Sequence, residues 1–472
     1  MVKPRRLAGL LALVLSTAPV LAQATELDGR ALGGWWGLPF AGLLLSIALC
    51  PLLTPNFWHH HFGKVSLFWA AAFLLPCALR FGAGTAAAGA LHAFVAEYFP
   101  FIVLVTALFV VAGGICVRGN LHGTPGLNTG LLAIGTVLAS FMGTTGAAML
   151  MIRPLIRAND DRRHAAHIVV FFIFLVANAG GSLTPLGDPP LFLGFLKGVD
   201  FFWTVRHILP ETLFLCGALL AIFYLLDRHY YHNREERLPA ALDPTPDAPL
   251  RFDGKANFLL LAVVVGLVLM SGLWKSGISF DLFGTPVELQ NLVRDLALIG
   301  VILLSLKITP AVAHQGNDFS WGPIREVAKL FAGIFITIIP VIAMLRAGTD
   351  GAFAPVVRAV TDGSGQPVNA MYFWATGLLS SFLDNAPTYL VFFNTAGGDA
   401  ATLMTTLAPT LAAISAGAVF MGANSYIGNA PNLMVKAIAE ERGIRMPSFF
   451  GYMAWSGAIL LPLFIIMTFV FF

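Results

Sequence analysis

The chain interrupts its apolar segments in the same way twice. FMGTTGAAML (Phe141 to Leu150) is followed by TPLGDPPLFL (Thr184 to Leu193), and FLDNAPTYLV (Phe382 to Val391) is followed by SYIGNAPNLM (Ser425 to Met434). Phe382 follows Phe141, and Ser425 follows Thr184, at one offset of 241 residues, so both pairs align without a gap. Each copy sets Gly, Pro, Asn, Asp and Thr inside apolar sequence. Such residues free backbone amides and carbonyls, and in hydrocarbon every unsatisfied group costs several kcal/mol or so. Lipid cannot surround a break of this kind. It survives buried in protein or beside a wet cavity, where helix ends and freed carbonyls meet ions. A Gly/Pro kink used for packing is the plain alternative at any single break; four matched breaks favour paired repeats with broken helices, the architecture of secondary transporters.

Composition places the chain in a membrane. Hydrophobic residues make up 57% and charged residues 11%, and mean hydropathy is +0.79, far from a soluble domain. The formal net charge of +3 and the scatter of Lys and Arg in short loops argue against nucleic acid as a partner. Cys50, Cys77, Cys116 and Cys216 stand singly in apolar sequence and read as packing residues. The chain has no GxxxxGK[ST] nucleotide loop, so an ion gradient must drive any pumping.

Residues 1–24 combine a basic start, an apolar run from Leu7 to about Val20 and Ala22-Gln23-Ala24, the form of a signal peptide; an uncleaved first helix is the alternative. Either puts the segment from Thr25 to Gly34 outside and suggests a bacterial inner membrane. Spans of about 20 apolar residues follow near 35–53, 65–81, 98–118, 207–226, 256–274, 291–308, 326–346 and 449–472. Between them lie hairpins at 130–156 and 369–397 and broken spans at 164–196 and 403–438. The fold expected is an all-α polytopic membrane protein of about 10–11 transmembrane helices, in repeats at 35–226 and 256–472 joined by a cytoplasmic loop at 227–255. Counting crossings puts the basic loops at 157–164, 227–237 and 436–445 on the cytoplasmic side. The first hairpin then enters from the cytoplasm and the second from outside, so the repeats are inverted.

The polar residues at the breaks are the candidate site. Asp188 and Asp384 are carboxylates at membrane depth, where such groups bind a cation or carry a proton. Around them stand Thr144, Thr145, Asn178, Ser182, Thr184, Asn385, Thr388, Asn424, Ser425, Asn429 and Asn432, whose oxygens suit a hard cation. No Lys or Arg falls inside either interruption, although Arg153 and Lys197 flank the first. Asp384 before an apolar run also reads as a helix cap, and so does Asp188 before Pro189-Pro190. Repeat symmetry expects Asp188 to face Thr144 and Thr145, and Asn429 to face Asp384 and Asn385. His59-His60-His61 reads as a solvated loop before it reads as a metal site. His92 and Glu97 lie near a membrane edge, suited to a proton relay or to an interfacial position.

The tips GTTGA and DNAPT, with LGDPP and IGNAPN on the broken spans, resemble the ion transporter superfamily. That superfamily includes citrate and dicarboxylate transporters, a CitMHS-like group and NhaD-type sodium/proton antiporters. The resemblance covers roughly Pro39 to Phe472 and implies a scaffold, a moving transport unit holding hairpins and broken helices, a homodimer and an elevator-type cycle. Dicarboxylate members carry Ser-Asn-Thr at both tips, where this chain has Gly143-Thr144-Thr145 and Asp384-Asn385-Ala386. The acidic tip resembles the NhaD-type pattern. It implies Na⁺ (or Li⁺)/H⁺ antiport with Na⁺ held at Asp188 and Asp384, no cofactor, and lipid and a small cation as partners. Citrate or dicarboxylate symport with a coupling cation is the alternative. An intramembrane aspartyl enzyme is remote, since it has no use for matched breaks in inverted halves.

Overall fold

The computed structural model describes residues 27–233 and 248–472; the expected signal segment and the middle of the expected linker lie outside them. Among the described residues seven helices are long and apolar enough to cross a membrane: Gly34–Leu53, Pro55–Phe81, Ala83–Gly113, Pro125–Met142, Trp203–His232, Ala256–Leu273 and Phe449–Phe471. An eighth forms if Gly322–Thr337 and Ile339–Arg346, bent by 42° at Ile338, count as one span. The protein is thus a mostly helical polytopic membrane protein. Leu289–Ile308 is also a helix, one that buries Arg294 and Asp295.

Two departures from an all-α reading concern the connections. Cys116–Asn120 pairs antiparallel with Ala248–Asp253, and Ser279–Leu282 pairs with Thr285–Glu288. The expected loop at 227–255 is therefore not loop at its described ends. The helix from Trp203 runs on to Asn233, and Ala248–Asp253 is strand because its backbone groups find partners on Cys116–Asn120. The triple histidine departs as well. It sits on the opening turns of the helix Pro55–Phe81, started by Pro55 at a first-turn position where a missing N–H costs nothing. Exposed Phe57 stacks on His61 at 4.9 Å. Among the described residues no group of three or more His, Cys, Asp or Glu is arranged to hold a metal.

The interruptions fold as local chemistry dictates. Helix Pro125–Met142 stops at Gly143, whose φ of 79° an L-residue rarely adopts, and Thr144–Arg157 starts at the next residue. Asn369–Ser380 turns through Ser381 to Asp384 into Asn385–Thr395. Ala166–Leu175 unwinds, makes one short turn at Ala179–Ser182 and restarts at Pro189–Leu196. Ala408–Met421 unwinds through Gly422–Asn424 and restarts at Ala430–Glu441, again with proline in the first turn.

Buried apolar side chains form two large clusters. One gathers the hairpins and broken spans with Trp203–Asn233 and Phe449–Phe471. The other gathers Leu38–Leu53, Pro55–Phe81, Phe99–Gly113, Ala256–Leu273, Leu289–Ile308 and Gly322–Arg346, and takes in Leu186, Phe192, Leu193, Ala386 and Leu390 from beside the breaks. Small residues let backbones approach inside the first cluster. A Cβ on Gly417 would lie 2.5 Å from the Phe373 carbonyl oxygen, and one on Gly180 would lie 2.5 Å from that of Thr136. Lipid offers helices no hydrophobic drive to associate, so close packing of this kind does more of the work. Leu79, Phe450 and Phe469 are exposed on the outer surface, as lipid-facing residues are.

Candidate functional site

Asp188 is the hub of the site. It ends the unwound stretch of the first broken span in extended conformation (φ −143°, ψ 144°) and is 1% exposed. Its side chain makes no cap bond to the helix it precedes, so the cap reading fails there. The carboxylate instead accepts from the Thr144 hydroxyl at 3.1 Å, the Asn385 amide at 2.8 Å and, more loosely, the Asn429 amide at 3.4 Å. Donors from both hairpin tips and the other broken span thus converge on one buried carboxylate. Such bonds are roughly twice as strong as neutral ones.

Asn429 occupies the matching position in the second broken span with matching backbone (φ −148°, ψ 140°). Its amide also reaches the Ala177 carbonyl at 3.1 Å and the Asn178 side-chain oxygen at 3.3 Å. Asn178 donates to Asn432 at 2.8 Å and to the Ile173 carbonyl at 2.8 Å, and Asn432 donates to the Gly422 and Ser425 carbonyls at 2.9 Å. The amides therefore satisfy backbone groups that the unwinding released. Asp384 behaves differently. Its Oδ1 accepts from the Ala386 N–H at 3.1 Å, which makes it the helix cap. The expectation that Asn429 faces Asp384 and Asn385 is not met, because Asn429 turns toward Asp188 and Asn178. The cross-contact to Asp188 comes from Asn385.

A second set of bonds braces the tips and recurs at the same offset. Thr184 donates to the Ser140 carbonyl, and Ser425 to the Ser381 carbonyl. Leu186 N–H donates to Thr184 Oγ1 at 3.2 Å, and Ile427 N–H to Ser425 Oγ at 3.3 Å. Ser140 donates to the Gly180 carbonyl at 2.6 Å, and Ser381 to that of Met421 at 3.1 Å. Ser140 and Ser381 were not among the sequence candidates. Each stands one residue before the aligned segments, so extending the register by one position finds them. Ser380, which donates to the Asn385 side-chain oxygen at 2.6 Å, has no counterpart in the first half, where Ala139 stands.

The remaining candidates sort by place. Thr145 lines the cavity described next. Thr388 donates to its own helix at the Asp384 carbonyl, 3.0 Å away. Asn424 donates to Ser381 Oγ at 2.9 Å. Ser182 pairs with Thr212 at 2.7 Å.

A cavity of about 530 Å³ reaches this constellation. Thr144, Thr145, Asp188, Asp384 and Asn429 form its polar wall, and Leu104, Leu108, Phe192 and Phe331 are among its apolar lining. It extends to Trp58, His59 and Glu326, where the Trp58 indole donates to Glu326 Oε1 at 3.3 Å. Among the described residues no Lys or Arg lines it. The donor set is carboxylate, hydroxyl and amide oxygen, which is the chemistry of a hard cation.

Apolar spans around two unwound helices, with a buried carboxylate on one of them and a second carboxylate at a hairpin tip, define a polytopic membrane transporter. The chain belongs to the family described as "Putative citrate transport", whose model matches residues 29–472, within the ion transporter superfamily. It is similar to the Na(+)/H(+) antiporter NhaB of Pseudomonas aeruginosa, 26% identical over 238 residues, which are 47% of this chain and 44% of that protein. NhaB of Pseudomonas paraeruginosa aligns with the same identity and coverage. The chain thus spans less than half the length of these antiporters. A 46 kDa membrane protein of Mycobacterium leprae is 23% identical over 328 residues, 68% of this chain and 71% of that one.

Proposed function

We propose that this protein is a secondary active transporter that exchanges Na⁺, or Li⁺, for H⁺ across a bacterial inner membrane. The observation that carries the proposal is one cavity where two carboxylates at the breaks, Asp188 and Asp384, stand with hydroxyl and amide oxygens, and where no Lys or Arg is among the described lining. A carboxylate holds either a cation or a proton, and competition for the same oxygens makes the exchange obligatory. Asp188 is the primary ligand. Asp384, its Oδ1 engaged by its own helix, keeps its second oxygen for the ion.

Motion follows from the division of the core. Most buried apolar residues of the hairpins and broken spans pack into one cluster and those of the surrounding helices into another, with Leu186, Phe192, Leu193, Ala386 and Leu390 at the contact between them, a division that suits a transport unit sliding against a scaffold. The brace bonds repeated 241 residues apart support paired repeats, and the proposal takes these as inverted, with an elevator-type cycle in a homodimer. The reading that a cation carries citrate or a dicarboxylate along is favoured by the family description and by a cavity of about 530 Å³. Against it stand the acidic wall and the lack, among the described lining, of a Lys or Arg to pair with a carboxylate. The family description and the NhaB relatives point to transport rather than to an enzyme.

Equilibrium binding of radiolabelled sodium to purified protein tests the site. Binding that protons and Li⁺ displace, and that Asp188→Asn abolishes, is expected. Sodium binding that appears only when citrate is added would replace antiport with symport.

A further inference from the structure

A second cavity, of about 600 Å³, shares no lining residue with the one at Asp188. Phe192, Leu193, Ala386 and Leu390, all buried in the second apolar cluster, come from the helices that start at the two breaks. The 600 Å³ cavity is lined by Glu97, Lys197 and Arg346 along with His92, Thr285 and Phe335. Two polar ties cross it from one body to the other. Lys197 forms an ion pair with Glu97, their side chains only 19% and 10% exposed. Arg346 Nε donates to Asn394 Oδ1 at 2.8 Å.

Each tie joins a helix of the site to a surrounding helix. Lys197 directly follows Pro189–Leu196, the helix that begins at Asp188. Asn394 lies near the end of Asn385–Thr395, the helix that begins at the other tip. Glu97 and Arg346 belong to the scaffold, Glu97 on a π-helical stretch at Ala93–Tyr98. A π-turn inside a helix frequently marks a functional position. Any displacement of Asp188 relative to the scaffold must carry Lys197 away from Glu97.

We propose that Glu97–Lys197, seconded by Arg346–Asn394, is a latch. It holds the transport unit in the state in which the Asp188 cavity opens toward Trp58 and Glu326, and it breaks once per cycle. This rests on the moving-unit reading above. The pair is largely shielded from water while docked, and removing one partner leaves the other charge uncompensated there. Water in the 600 Å³ cavity can solvate both ends as they separate. Another tie, Arg153 to Asp318 at 3.2 Å, has an Asp318 side chain 65% exposed and contributes little.

The test is two-sided labelling. Thr145→Cys places a thiol on the wall of the Asp188 cavity, and a membrane-impermeant maleimide is applied to right-side-out and inside-out vesicles, with Na⁺ or without. Protein that retains Thr145, treated with the same maleimide, corrects for the native cysteines. The latch predicts that Glu97→Gln and Lys197→Met each shift the ratio of labelling rates toward the opposite face by roughly tenfold, the equivalent of about 1.4 kcal/mol. The swapped double variant Glu97→Lys with Lys197→Glu is expected to restore the wild-type ratio. Unchanged ratios in both single variants, with wild type labelled from both faces, would overturn the latch and leave the moving unit standing. A swap that fails to restore the ratio overturns the pairing. Labelling of wild type from one face only, under every ion condition, overturns both the latch and the moving unit.

Discussion

Gly187 and Gly428 precede Asp188 and Asn429, and each is pressed against the unwound backbone of its own span. A Cβ on Gly187 would fall 2.7 Å from the Gly181 carbonyl carbon and 2.9 Å from its Cα. On Gly428 it would fall 2.5 Å from the Gly422 carbonyl oxygen and 2.9 Å from that of Ser380. These neighbours are backbone atoms and cannot rotate aside, so the chain must move by about half an ångström or more. Overpacking of this kind costs about 1–3 kcal/mol. The greater effect falls on function. Asp188 is held by bonds of 2.8 and 3.1 Å, and a misplacement near 1 Å at a reacting group costs on the order of a hundredfold in rate. Gly187→Ala and Gly428→Ala are therefore expected to lower the thermal midpoint of the purified protein and to cut exchange by at least about tenfold. Gly130→Ala and Gly217→Ala serve as controls. Both lie inside helices with nothing within 4 Å of the added methyl, so alanine should hold or raise stability, by about 0.5–1 kcal/mol. Midpoints would be read by intrinsic fluorescence and exchange in proteoliposomes. If Gly187→Ala and Gly428→Ala behave like the controls in both assays, the tight crossing of the broken spans is not what positions the site.

Asp384→Asn is expected to abolish coupled exchange while leaving folding and membrane insertion intact, since asparagine also caps helices; size-exclusion profile and exchange, measured together, decide it. Asn178→Val removes a fully buried amide that serves Asn432, Asn429 and the Ile173 carbonyl, and the partners left unsatisfied should cost about 1–3 kcal/mol of stability, read as a lower thermal midpoint. Lowering pH on the cation-loading side should raise the apparent KM for Na⁺ with little change in maximal rate, because protons and Na⁺ compete for the same oxygens; a fall in maximal rate at constant KM contradicts competition.

The breaks were legible in the sequence because they defy the local rule for membrane segments: no packing reason places LGDPP and IGNAPN at one offset in two apolar halves. The roles of individual residues were less so. Symmetry alone pairs Asp188 with its own tip, and Thr144 does lie against it. The closest bond comes from Asn385 of the other half, a product of how the halves interlock that no spacing encodes. Asp384 and Asp188 look alike as carboxylates before helices, but only Asp384 caps, because its turn leaves the Ala386 amide free to meet it. Ser140 and Ser381 escaped notice because serine in an apolar helix is commonplace; only their matched register marks them. His59 to His61 look like loop until the helix begins at Pro55. The Glu97–Lys197 tie joins residues 100 apart and needed the packing of two bodies to appear.

The most direct test of cation/proton exchange uses purified protein in proteoliposomes with an internal pH dye, an acidic lumen and a pulse of external NaCl, LiCl, KCl or sodium citrate, with Asp188→Asn and Asp384→Asn run beside wild type. The account predicts that NaCl or LiCl makes the lumen more alkaline and that the response disappears in either variant. No response to chloride salts, together with sodium-dependent uptake of labelled citrate, would contradict it and show that the carboxylates serve a symporter.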